Sequence, residues 1–79
     1  MAEHHGRAVA FARDARRDDA HRVAQEYDDP LSCRIHGYLH RVEGDLSNAR
    51  YWYGRAGVTF PEDGVNEELG RLEGLARKG

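Results

Sequence analysis

The chain has 79 residues, 39% of them apolar and 33% charged, with 12 Lys and Arg against 14 Asp and Glu, which is the size and balance of one small soluble domain. Its basic residues, nearly all arginine, are interleaved with acids, so the clustered positive footprint of a nucleic-acid binder is absent and nucleic acid is disfavoured as a partner. No apolar run approaches the length that spans a bilayer, the opening Met-Ala-Glu-His-His-Gly has no hydrophobic segment of a secretory signal, and Cys33 stands alone, which excludes an internal disulfide and a multi-cysteine zinc site. A reducing, cytoplasmic location is the expectation.

Taken in order, apolar residues with helical spacing first appear as Ala8, Phe11, Ala12 and Ala15, and again as Ala20, Val23, Ala24 and Tyr27. The polar run Arg16-Arg17-Asp18-Asp19 divides them, so helices are predicted over about 6–16 and 18–28, with Asp18 as the cap of the second. One continuous helix is the competing reading, because neither glycine nor proline breaks the segment. Asp28-Asp29-Pro30 is a firmer boundary. Asp29 is placed to accept from exposed backbone N–H groups, and proline at the first helical position loses nothing by lacking its own N–H.

The third helix is predicted over 30–43, with Leu31, Ile35, Tyr38, Leu39 and Val42 as its apolar stripe. Gly44 suits a left-handed C-cap, and Asp45 re-caps a fourth helix over 45–57 that carries Leu46, Ala49, Trp52, Tyr53 and Ala56. So short a connection requires the two helices to pack antiparallel. Val58 to Gly64 is a loop around Pro61. The last helix, over 65–77, presents Val65, Leu69, Leu72, Leu75 and Ala76 on one face. No stretch alternates as a strand does. The fold class expected is all-α, a small four- or five-helix bundle built on the central hairpin.

The segment from Gly44 and Asp45 through Ala49, Tyr51, Trp52 and Tyr53 to Ala56 resembles the second half of a tetratricopeptide or Sel1-like repeat, and the likeness covers about residues 31–61. Gly37 falls where such repeats keep a small residue for close helix crossing, and Pro61 matches the proline that often closes a unit. The first helix departs from the pattern: Cys33, His36 and His40 stand where the family places large apolar residues. No clean second copy follows, although solenoids need about three units. The block from His36 to Tyr53 also resembles small microbial proteins. The resemblance implies a protein-interaction module, with a protein partner or self-association as a homodimer.

Two constellations carry the candidate chemistry. Tyr51-Trp52-Tyr53 cannot all face one core, since helical neighbours are 100° apart. Tyr53 belongs to the hairpin seam, so Tyr51 and Trp52, with Arg50 and Arg55 nearby, form a candidate partner-binding surface of the residue types that dominate interfaces. The bland alternative is that the first or last helix of the same chain covers Trp52. Arg41, Arg50 and Arg55 could also receive an acidic group. The second constellation is His36, His40 and Glu43 on one face of the third helix, a His-x3-His-x2-Glu set able to hold zinc or another divalent ion, with His4 and His5 as further donors. Gly37 stands where the zinc-protease helix requires glutamate, which removes that reading. The competing expectation is that both histidines simply pack against the next helix, with no cofactor. No catalytic set is apparent, so an interaction module is expected first and a metal-binding protein or small metal-dependent enzyme second.

Overall fold

The computed structural model describes residues 3–78. Among them are five helices and no strand: α1 (Glu3–Arg13), α2 (Arg17–Gln25), α3 (Pro30–Glu43), α4 (Leu46–Ala56) and α5 (Val65–Lys78). The chain is all-α, as its periodicity requires.

The first two helices are separate. The break falls at Ala15, which takes a left-handed φ of 61°, while the Arg16 N–H donates to the Phe11 carbonyl at 2.8 Å and closes the turn. Ala15 is therefore an exposed turn residue, and Val9 takes a core place instead. Asp18 is not the cap of α2. Arg16 occupies that position with no side-chain acceptor, and Asp18 and Asp19 lie in the first turn, where their charge favours the positive end of the helix dipole. Tyr27 lies beyond the end of α2 and is exposed.

The remaining boundaries follow the expected chemistry. Asp29 accepts from the Ser32 N–H at 3.1 Å with Pro30 behind it. Gly44, with φ 84°, ends α3, and Asp45 caps α4 by accepting from Asn48.

A core shared by α1, α2, α3 and α5 collects Ala8, Val9, Ala20, Val23, Ala24, Ile35, Tyr38, Leu39, Leu69, Leu72 and Ala76. Against the opposite face of α3 lies α4. Pairing of His36 with Trp52, and of Gly37 with Ala49 and Tyr53, runs these two helices antiparallel. Helix α3 thus has two buried faces, and Cys33, His36 and Gly37 are buried on the second. Leu46, expected on the apolar side of α4, is exposed.

The last helix is tied in by a charge. Glu68 is fully buried and accepts from both Arg34 Nε (3.0 Å) and Nη2 (3.2 Å), from the Tyr53 hydroxyl (3.0 Å), and from Arg71. A buried carboxylate requires such pairing. Burial, reinforced by the Glu68 charge, pushes the Tyr53 phenol well above its ordinary range and keeps it a donor. In the loop before α5, Phe60 sits edge-on to Tyr53 at 5.4 Å, with the guanidiniums of Arg41 and Arg50 at 5.4 and 5.2 Å from its ring.

The α3–α4 approach is set by the bare Cα of Gly37. A Cβ there would lie 2.9 Å from Tyr53 Cδ2 and 3.2 Å from the Ala49 carbonyl oxygen. Gly37→Ala is expected to destabilise the fold by up to about 2 kcal/mol, because overpacking of about 1–3 kcal/mol outweighs the helix-propensity gain of about 1 kcal/mol. Urea titration followed by circular dichroism measures it; a rise in stability would show that the helices are free to separate.

Candidate functional site

The polar constellation of α3 is built from helical spacing and one contact from α2. A spacing of four residues sets His36 and His40 one turn apart on the face of α3 that looks across at α2 and α4. Their rings lie nearly parallel, 5.0 Å apart between centroids. From α2, His21 projects a third imidazole, edge-on to His36 at 4.5 Å and to His40 at 4.8 Å. One ring nitrogen from each of the three lies within 4.8 Å of the other two.

Glu43 borders the group. Its Oε1 is 3.3 Å from His40 Nδ1 and its Oε2 is 3.5 Å from His21 Nδ1. The first of these is out of line for a hydrogen bond, so His40 Nδ1 is buried with no partner. An unsatisfied buried nitrogen costs about 1–3 kcal/mol and calls for an explanation.

Trp52 closes the other side. Its indole lies flat on His36, with centroids 4.0 Å apart and planes 11° from parallel. The Arg55 guanidinium sits 5.0 Å from the indole centroid, a cation–π contact. Trp52 is thus covered by α3, and neither α1 nor α5 does that work. Tyr51 stays exposed, edge-on to Trp52.

Burial favours the neutral form of His36 and His21. It pushes His36 down to about 4, with help from the neighbouring rings of His21 and His40. His21 is also lowered, chiefly by burial, against the opposing pull of Glu43. His36 and His21 therefore offer nitrogen lone pairs at neutral pH, the form in which histidine ligates a metal.

The sequence-predicted residues His36, His40 and Glu43 are brought together, and His21 joins them. His21 was missed because its own segment gave no motif; the available signal was its place beside Ala20 and one turn before Ala24, at the edge of a buried face. His4 and His5 do not join this group. They lie against Asp29, His4 Nε2 at 3.0 Å from Oδ1 and His5 Nε2 at 2.5 Å from Oδ2. Burial alone would raise the Asp29 carboxyl, but hydrogen bonds from His5, His4 and Ser32 hold it well below the usual carboxylate range. Arg41 and Arg50 lie over Phe60, and Arg55 lies over Trp52. Cys33 is buried beside the Asp28 carbonyl, and burial raises its thiol pKa, which suits a packing role.

No family model matches the chain, and neither a curated protein nor a solved structure matches it significantly. The likeness to a tetratricopeptide or Sel1-like repeat rests on residues 31–61 alone.

The depressed histidines make stability depend on pH with a definite sign. Between about 4, the His36 value in the fold, and its ordinary 6.5, the unfolded chain binds more protons than the folded one. Stability is therefore full above 6.5 and falls as the pH drops towards 4. Thermal melts across this range are expected to show that loss in the wild type and a shallower one in His36→Gln; equal slopes would assign the acid sensitivity elsewhere.

Proposed function

We propose that this protein binds a divalent transition-metal ion of the zinc class through His21, His36 and His40, with Glu43 as the adjacent carboxylate. The observation that carries the reading is the convergence of three imidazoles from two helices, one with a buried ring nitrogen that no protein group satisfies. Tetrahedral zinc at about 2.0–2.1 Å from nitrogen sets its ligand atoms about 3.3–3.4 Å apart, so modest side-chain rotations from the 4.8 Å span are enough. Three imidazoles leave one position for water or for a carboxylate, and Glu43 supplies the negative charge that offsets the ion. Membrane partners receive no support, since no helix among the described residues is long and apolar enough to cross a bilayer.

Untagged protein titrated with Zn²⁺ by calorimetry, and with Co²⁺ by its visible spectrum, tests the proposal. His21→Gln and His40→Gln should each weaken this site by more than the roughly 10–100-fold that loss of an outer-shell partner costs. Cobalt should give the intense bands of a tetrahedral complex in the wild type and lose them in both variants. Metal uptake that is absent, or indifferent to both substitutions, would remove the reading.

A second reading is favoured by one observation, the exposure of Tyr51 (56%) on the side of α4 turned away from α3. We infer that this face, with Arg50 and Arg55 beside it, is a protein-contact surface, in keeping with the repeat-like hairpin and with self-association. Sedimentation velocity should then show a concentration-dependent shift for the wild type that Tyr51→Ala abolishes. Identical monomeric profiles would rule out the homodimer.

A further inference from the structure

The start of α1 and the N-terminus of α3 hold a second convergent donor set, on residues the central cluster does not use. Both imidazoles present the same atom, Nε2, to one carboxylate: His4 to Oδ1 and His5 to Oδ2 of Asp29. One ligand atom from each of the three residues lies within 4.8 Å of the others. His4 is laid flat on Tyr27, with centroids 3.6 Å apart and planes 10° from parallel, and is edge-on to His5 at 4.3 Å. Its direction is therefore fixed by packing before any ligand arrives.

The arrangement exceeds what fastening α1 requires. Asp29 already accepts from the Ser32 N–H (3.1 Å) and the Ser32 hydroxyl (2.8 Å) in its capping role, and one imidazole would complete an ion pair. Two imidazole nitrogens stand 3.0 and 2.5 Å from its oxygens. Neighbouring donors around a divalent ion with bonds of about 2.0–2.2 Å lie about 3.0–3.4 Å apart, a spacing that the His4 contact already has and that the His5 ring reaches by backing off from its direct hydrogen bond. Both imidazole side chains are 15% exposed and the carboxylate 35%, so the group is partly enclosed and still open to solvent on one side.

We propose that His4, His5 and Asp29 form a second site, of two-histidine, one-carboxylate type, for a first-row divalent metal ion that fastens the first turn of α1 to the N-terminus of α3. Water fills the remaining positions. Each ring coordinates through Nε2 and carries its N–H on Nδ1. Asp29 and His36 are seven residues apart, which is roughly 10 Å along a helix, so the two sites fill independently.

The test is Zn²⁺ stoichiometry and affinity on the full, untagged chain. Two equivalents are expected in the wild type. Asp29→Asn keeps an oxygen acceptor for the Ser32 N–H, so the cap survives while the charged ligand is lost. His5→Gln removes a nitrogen without touching the cap. Each should weaken one equivalent at least about tenfold and leave the other, which His21→Gln weakens instead. Zinc binding identical to wild type in both Asp29→Asn and His5→Gln would overturn the proposal, as would a single wild-type equivalent that His21→Gln abolishes. One equivalent sensitive to Asp29→Asn and indifferent to His21→Gln would uphold this site and defeat the central one.

Discussion

The missing side chain at Gly37 is the constraint on which the rest of the structure turns. With Tyr53 lying where a Cβ would sit, α4 comes down close upon α3. That approach sets the depth at which Tyr53 delivers its hydroxyl to Glu68, and so the height at which α5 is anchored. One residue earlier on each helix, it brings the indole of Trp52 flat against His36. Stability and the histidine cluster thus share one origin. A wider hairpin would leave the Glu68 carboxylate short of a donor and would let water in behind His36.

Helix α3 makes two sets of contacts, and this explains which parts of the fold were legible in the sequence. Its stripe of Ile35, Tyr38 and Leu39 is apolar and reads directly as a core face. Its other buried face is Ser32, Cys33, His36 and Gly37, residues with no hydrophobic periodicity to announce them. The helix boundaries at Asp29-Pro30 and Gly44-Asp45 were legible because each rests on a local backbone need that only a few residue types meet. The division of α1 from α2 was legible in the polar run after Ala15, but the left-handed turn at Ala15 was not, because no residue there demands it; packing of α2 back across α1 imposes it. Glu68 was invisible for a related reason. An acid on a helix reads as solvated until its partners, 34, 15 and 3 residues away, are known to converge on it.

The candidate site divided along the same line. His36, His40 and Glu43 share one helix, so spacing alone collects them. His21 reaches them across an interface, and Asp29 meets His4 and His5 across another. Contacts between distant segments leave no signature in a single sequence. Trp52 shows the converse: its residue type suggested a binding surface, yet its neighbours are His36 and Arg55 of its own hairpin.

A domain of this size has little stability to spare, about 3–5 kcal/mol from a single core. It nonetheless buries His36, and half-buries His21 and His40, where aliphatic side chains would pack without leaving a ring nitrogen unsatisfied. Neutral imidazole is the form of a metal ligand that a small interior tolerates. Three carboxylates in the same place would repel one another and carry a far larger desolvation cost. An ion bound only by the folded chain returns that cost with interest: at a free concentration 100 times its dissociation constant it adds about 2.7 kcal/mol. At the proposed sites, whose donors come from α2 and α3 and from α1 and α3, that gain would fall on the junctions between helices. They tie α3 to the two helices that meet at an uncapped turn.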